Sequence, residues 1–108
     1  MAAKPEWLVL LPDFEGALDK RMEVRPKHLE AIKPNVSSGK ITLGGATLDE
    51  QPREGQPMKI NGSAMLVSAD SKEDVMKLVE SDVYYESRVW DPSKIQVFPF
   101  KSAVRTAL

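Results

Sequence analysis

Residues 41–69, ITLGGATLDEQPREGQPMKINGSAMLVSA, contain the clearest indication of the fold. They hold two segments rich in apolar residues, Ile41–Leu48 and residues 63–69, and each is typical of a strand. The segment between them, residues 49–61, contains two prolines and few apolar side chains, a composition that favours an exposed loop. The paired glycines Gly44 and Gly45 indicate a bulge or a close approach of another group. We therefore predict a hairpin with a long loop.

One strand and one helix are predicted on each side of this hairpin. Upstream, the run Trp7-Leu8-Val9-Leu10-Leu11 predicts a strand buried on both faces, and apolar residues then recur at helical spacing from residue 16 to residue 36. Pro26 interrupts this spacing, so either the helix kinks there or a second helix begins there, and residues 34–39 close the segment. Downstream, Ser71 suits the cap of a helix that ends between residues 81 and 85, and residues 95–100 form the last strand. The upstream residues that we expect to face the core are Leu18, Met22, Leu29 and Ile32.

The resulting order, β-α-β-β-α-β, predicts an α+β fold of the ferredoxin-like type. This arrangement gives a four-stranded antiparallel sheet with two helices on one face. Alternation along residues 63–69 leaves neither face of the sheet clearly polar. Because two helices cover only one face, we expect the same face of a second copy to cover the other. The sequence therefore predicts a homodimer.

Length and composition exclude several classes of protein. A chain of 108 residues suits one domain spanning residues 1–108, and its net charge of −1, from 15 basic and 16 acidic side chains, gives no general attraction to nucleic acid or to an anionic membrane. We see no apolar run long enough to span a membrane and no secretory signal. The absence of cysteine excludes thiolate chemistry and, more weakly, points to the cytoplasm. One histidine cannot form a His-rich metal site, so we expect neither a metal nor a cofactor.

His28 is the only histidine and the natural proton carrier if this protein is an enzyme. An imidazole with a pKa of about 6.5 exchanges protons near neutral pH. On a helix, Arg21, Arg25 and His28 fall on one stripe that borders the apolar face. Either the arginine stems lie along the edge of the core with their heads in water, or one of the guanidinium groups binds an anionic substituent of a substrate.

Asp82 follows the apolar stripe of the second helix, which Val75, Leu78 and Val79 define. Burying an unpaired carboxylate costs several kcal/mol. Either the helix ends before Asp82 and leaves it solvated, or the carboxylate meets a partner, for which His28 and Arg25 are the candidates. A His–Asp pair fixes the tautomer of the imidazole and favours general acid/base chemistry.

Short motifs in a fixed order carry a resemblance to a known family. They are Arg25-Pro26-Lys27-His28-Leu29, Gly44-Gly45, Gly62-Ser63, Ser81-Asp82-Val83-Tyr84 and Val97-Phe98-Pro99-Phe100. Together they resemble the YciI-like (YCII-related) family over residues 7–101. The resemblance implies the dimeric α/β-barrel version of the ferredoxin-like fold and a catalytic His–Asp pair at His28 and Asp82. Relatives on this fold include muconolactone isomerases and a dehydrochlorinase of a chlorinated hydroxyhydroquinone. The chain departs from the family pattern at Val83, where members usually carry proline.

The leading hypothesis is a small cofactor-independent enzyme that moves a proton on a small cyclic or aromatic compound, as an isomerase, lyase or dehydrochlorinase does. His28 acts as general acid and base, Asp82 orients it, and Arg21 or Arg25 holds an anionic group, while Ser63 donates a hydrogen bond to developing negative charge. The alternative is a non-catalytic small-molecule-binding or interaction module that uses the same cleft. RNA recognition, which the same element order also supports, is disfavoured because residues 63–69 contain no aromatic side chain.

Overall fold

The sheet of this protein has the order β2-β3-β1-β4, with every neighbouring pair antiparallel. The structure, a computed structural model, describes residues 4–107. The elements are β1 (Glu6–Pro12), α1 (Leu18–Ser37), β2 (Ile41–Leu48), β3 (Ile60–Ser68), α2 (Lys72–Glu80), α3 (Val83–Glu86), a 3₁₀ turn (Pro92–Lys94) and β4 (Gln96–Phe100). The ferredoxin-like order and the β2–β3 hairpin are thereby confirmed. The short helix α3 has no counterpart in the sequence prediction.

The core lies between one face of the sheet and the helices. Val9 of the central strand β1 pairs with Met65 of β3 and with Val97 of β4, so the side chains of these three residues lie on the same face. Val75 and Val79 of α2 are completely buried against this face. Each fully buried aliphatic side chain of this kind stabilises the fold by about 2 kcal/mol. The side chain of Ser71 caps α2 by accepting a hydrogen bond from the Asp74 amide at 3.1 Å, as its sequence position predicts.

The opposite face of the sheet remains largely open. Leu8 and Leu10 of β1 are only half-buried there, so the prediction that β1 is buried on both faces is wrong for the single chain. Leu43, Phe98 and Phe100 on the same face are between 42% and 53% exposed. This face is open because both helices pack on the other face of the sheet, as the order of the elements predicts.

Helix α1 is rotated relative to the sequence prediction. Leu18, Met22 and Leu29, expected in the core, are exposed, and the inward face instead carries Arg21 and His28. The helix also runs without interruption through Pro26 and past Pro34, so the predicted closure at residues 34–39 holds only at its far end. The rotation is possible because the two inward polar side chains find carboxylate partners on other elements.

The close approach of another group that was predicted at Gly44 and Gly45 is found at Gly62 instead. A Cβ atom at Gly45 would meet nothing within 4 Å, and one at Gly44 would meet only an ordinary contact. At Gly62, by contrast, a Cβ would lie 2.8 Å from the carbonyl oxygen of Leu11 and 2.8 Å from Oγ1 of Thr47. The irregularities in the pairing of β2 with β3 flank the glycine pair rather than coincide with it.

None of the helices within residues 4–107 is both long and apolar enough to cross a membrane.

Candidate functional site

Asp82 is held at the junction between α2 and α3. α2 ends at Glu80, and Asp82 adopts the extended backbone conformation of a helix cap, with its Oδ1 accepting a hydrogen bond from the amide of Tyr84 at 2.8 Å. The residue is nevertheless 94% buried, since only 6% of its surface is exposed. The sequence left two possibilities for Asp82, a solvated position after the end of the helix or a buried carboxylate with a partner. The structure combines them, because the helix ends before Asp82 and the buried carboxylate still meets a partner.

That partner is His28, whose Nδ1 lies 2.8 Å from Oδ1 of Asp82. A carboxylate accepts hydrogen bonds, so Nδ1 is the protonated nitrogen of the neutral ring and Nε2 keeps its lone pair. No described residue hydrogen-bonds Nε2, and no fully buried polar side-chain atom in residues 4–107 lacks a partner. Nε2 therefore reaches the surface of the chain with its lone pair free.

The plane of the imidazole is fixed by two aromatic side chains. The ring of Tyr84 stacks on His28 with centroids 3.9 Å apart and an interplanar angle of 10°. Trp90, which is completely buried, meets His28 edge-on at 6.3 Å. From the sequence, Tyr84 and Trp90 are expected either to line an apolar pocket or to lie in the core or a dimer contact. The position of Tyr84 two residues after Asp82 is the signal that could have placed it at the site.

Arg21 forms a buried network beside this pair. Its Nη1 donates to both carboxylate oxygens of Asp13, at 2.9 and 3.1 Å, and its Nη2 donates to Oγ of Ser63 at 2.7 Å. The same Ser63 oxygen accepts a hydrogen bond from Nε1 of Trp90 at 3.1 Å. Burial raises the pKa of Asp13 above its usual range, and the opposing attraction of Arg21 does not cancel the effect. Arg21 and Ser63, both predicted to bind substrate, are thus hydrogen-bonded to each other within this network.

Asp13 was not among the residues that the sequence marked as candidates. A buried arginine requires a nearby carboxylate, but which of the sixteen acidic residues supplies it depends on the tertiary fold. The position of Asp13 directly after β1 was the only local hint.

Tyr84 occupies a slot between Arg21 and His28. These two residues are two turns apart on α1, about 10 Å along the axis at 1.5 Å per residue. The guanidinium carbon of Arg21 lies 4.6 Å from the centre of the Tyr84 ring and the imidazole of His28 stacks on the same ring, so the phenol contacts both side chains.

Arg25 differs from Arg21 because it is exposed. Its positive charge acts on the Tyr84 phenol, as does that of Arg21. Of the two arginine candidates, Arg25 is therefore the one with a guanidinium open to a ligand. The structure brings His28 and Asp82 into direct contact, joins Arg21 to Ser63, and leaves Arg25 at the edge of the group.

No cluster of three or more histidine, cysteine, aspartate or glutamate side chains suited to a metal ion is found in the part of the chain that the structure describes. Two cavities, of about 370 and 310 Å³, are lined by neither His28 nor Asp82, although Ser81, next to Asp82, lines the first. The His28 nitrogen opens into neither of them.

Comparison with known proteins gives a consistent family relationship. The model of the YCII-related domain matches residues 6–101. Fusaric acid biosynthesis protein 2 of Gibberella fujikuroi is 34% identical over 97 residues, which cover 90% of this chain and 93% of the relative. Aspercryptin biosynthesis cluster protein B of Emericella nidulans is 35% identical over 105 residues, which cover 96% of this chain and 67% of the relative.

A solved structure shares the fold. It is the 5-chloro-2-hydroxyhydroquinone dehydrochlorinase of Burkholderia phenoliruptrix AC1100 in complex with 2,5-dihydroxybenzoquinone. The TM-score is 0.75 at 25% sequence identity, and the match covers 89% of this chain and 93% of that chain.

Proposed function

This chain belongs to the YCII-related domain family, and we propose that it is a small enzyme in which His28, oriented by Asp82, transfers a proton on a small cyclic or aromatic compound. The observation that carries the proposal is the 2.8 Å contact between Nδ1 of His28 and Asp82, which leaves the lone pair of Nε2 at the surface. A base held in one tautomer and aimed outward suits general acid/base chemistry.

The proposed step is a proton shuttle. Nε2 takes a proton from the substrate, and the positive charge that develops on the imidazole is stabilised by the Asp82 carboxylate. The same nitrogen then returns the proton to another position of the substrate or to a leaving group. The ring does not need to rotate between the two steps, because Tyr84 and Trp90 fix its plane.

We assign the binding of an anionic substituent to Arg25. Arg25 is exposed and its charge acts on the Tyr84 phenol, whereas the guanidinium of Arg21 is held by Asp13 and Ser63. In this proposal Arg21 and Ser63 act one layer beneath the substrate, where they support Tyr84 and Trp90.

The compound class is supported by the relatives. The related structure is that of a dehydrochlorinase of a hydroxylated aromatic compound with a dihydroxybenzoquinone bound, and curated relatives carry the names of biosynthesis proteins. We further propose that the protein is a homodimer in the cytoplasm that needs no metal or organic cofactor, with the open face of the sheet as the interface.

The proposal is tested by hydrogen exchange on 2,5-dihydroxybenzoquinone in D₂O. Exchange of its ring hydrogens requires a proton to be added to and removed from a ring carbon, which is the task assigned to His28. We expect the wild type to accelerate the loss of the ring-proton NMR signal, and the His28→Gln variant to be slower by about 100-fold or more.

Lys27→Gln is the matched control, because Lys27 is the exposed neighbour of His28 on the same helix. It should leave the exchange rate unchanged. If the ligand binds equally well to wild type and His28→Gln and no exchange is catalysed, the enzyme assignment fails and the non-catalytic binding module becomes the correct description.

A further inference from the structure

The hydroxyl group of Tyr84 is the polar atom at the site that has no assigned task. Only 2% of the residue is exposed, because its ring fills the slot between Arg21 and His28. No described residue hydrogen-bonds the hydroxyl, while all fully buried side-chain oxygens and nitrogens of residues 4–107 have partners. The small exposed part of Tyr84 therefore includes its hydroxyl oxygen.

The buried position of the phenol keeps it protonated. Burial raises the pKa of Tyr84 above its usual value, and the nearby Arg21 and Arg25 oppose this without reversing it. At neutral pH the hydroxyl therefore retains its proton and can donate a hydrogen bond, for which residues 4–107 supply no acceptor.

His28 and Tyr84 are complementary in what they offer. Nε2 of His28 presents a lone pair and the Tyr84 hydroxyl presents a hydrogen. The two rings are nearly parallel with centroids 3.9 Å apart, so one small ring can meet both groups. A donor next to a base is the arrangement that stabilises an enolate, because the oxygen becomes negative as the neighbouring carbon loses its proton.

We propose that the hydroxyl of Tyr84 is a catalytic group that donates a hydrogen bond to a carbonyl oxygen of the substrate while Nε2 of His28 removes a proton from the adjacent carbon. This inference rests on the proposed function and narrows the substrate to compounds that carry a C–H bond next to a carbonyl group.

The step balances without any further reactant. The C–H bond breaks and its proton passes to Nε2, while its electron pair forms a carbon–carbon double bond. The π pair of the carbonyl moves onto oxygen, where the Tyr84 hydroxyl stabilises the charge without losing its own proton. Return of the proton from Nε2 to carbon regenerates a carbonyl compound.

The test uses 4-nitrophenol as a probe, because its phenolate oxygen mimics that of an enolate and its absorbance reports ionisation. We compare wild type, Tyr84→Phe, and Tyr85→Phe as the matched control, since Tyr85 is the adjacent half-buried tyrosine. We expect wild type and Tyr85→Phe to bind the phenolate with affinities within a factor of about two, and Tyr84→Phe to bind it at least about tenfold more weakly. Equal binding by Tyr84→Phe and wild type, or no phenolate binding by wild type at millimolar probe, would overturn the proposal.

A second measurement keeps the test valid if Tyr84→Phe folds poorly. The chain contains two tyrosines, so 3-fluorotyrosine incorporated into Tyr85→Phe labels Tyr84 alone. The single ¹⁹F resonance should shift when 4-nitrophenol binds, and the absence of a shift at saturation would contradict direct contact.

The two hypotheses fail separately. Exchange on 2,5-dihydroxybenzoquinone should fall about 100-fold in Tyr84→Phe. Exchange that depends on His28 but is unaffected by Tyr84→Phe would remove the donor role and leave the proposed function standing. Phenolate binding that depends on Tyr84, in a protein that catalyses no exchange, would overturn the proposed function and leave Tyr84 only as a hydrogen-bond donor to a bound ligand.

Discussion

The buried charges of Arg21 and Asp13 show how single residues shape this site. Their side chains are 6% and 4% exposed, and they meet at 2.9 Å. Even so, the pKa of Asp13 is raised, so the loss of hydration outweighs the attraction of the guanidinium. Arg21 of this pair also contacts Ser63 and the Tyr84 ring. We infer that its task is to position the site rather than to stabilise the fold.

Removing Arg21 alone should leave the Asp13 carboxylate buried without a partner. We expect Arg21→Met to lower the free energy of unfolding by about 3 kcal/mol at pH 7, measured by urea denaturation. Because the folded-state pKa of Asp13 is raised, its ionisation opposes folding as the pH rises. The deficit of Arg21→Met should therefore shrink as the pH falls and Asp13 becomes protonated.

The double variant Asp13→Asn/Arg21→Met is the control, since it removes both charges at once. It should recover most of the lost stability at pH 7. A double variant as unstable as Arg21→Met at every pH would mean that the loss comes from packing against Tyr84 and not from the buried carboxylate.

At the scale of elements, helix α1 and the α2–α3 junction create the site together. The spacing of apolar residues predicted the existence of α1 but not its rotation, because Leu18, Met22 and Leu29 form a second apolar stripe that stays exposed. The choice between the two stripes depends on Asp13 and Asp82, which lie on other elements. The end of α2 before Asp82 was predictable in outline, whereas the capped helix α3 was not.

The first strand also anchors the end of the chain. Glu6 of β1 accepts hydrogen bonds from the amide and the hydroxyl of Ser102, and Arg105 lies 3.5 Å from its carboxylate. These hydrogen bonds, chiefly that of the Ser102 side chain, lower the pKa of Glu6 below its usual range. An anchor of this kind holds while Glu6 is ionised and is lost as the pH falls through its lowered pKa.

We therefore expect the Ser102 amide to be protected from hydrogen exchange at neutral pH and to lose that protection in acid. Glu6→Ala removes the acceptor and should expose the amide at all pH values, as NMR-detected exchange would show. Glu80→Ala, at an exposed acidic position on α2, should behave as the wild type does. Protection of Ser102 that persists in Glu6→Ala would contradict the anchor.

At the scale of the whole molecule, the open face of the sheet is the feature left without a cover. Leu43, Phe98 and Phe100 lie there with about half of their surfaces exposed. Large apolar patches of this kind mark interaction surfaces. Association through the sheet remains our prediction.

A charge on this face should prevent association. We expect the wild type to sediment as a dimer at micromolar concentration and Phe98→Asp to sediment as a monomer. Leu29→Asp is the matched control, because Leu29 is 40% exposed on α1 and Phe98 is 42% exposed on the sheet. A wild type that is monomeric, or a Phe98→Asp variant that remains dimeric, would exclude this interface.

Periodicity, turn residues and capping patterns are local properties, and they were enough to predict the order of the main strands and helices, the hairpin and the cap at Ser71. They marked His28 and Asp82 as candidates but left open whether Asp82 is solvated or meets His28 or Arg25. The packing of the fold settles that contact, and it also settles which face of α1 turns inward, which carboxylate holds Arg21 and which ring stacks on His28. His28 and Asp82 are 54 positions apart, and Arg21 and Ser63 are 42 apart. Contacts over such separations depend on how the helices pack on the sheet, and burial of the whole core fixes that packing rather than any local pattern.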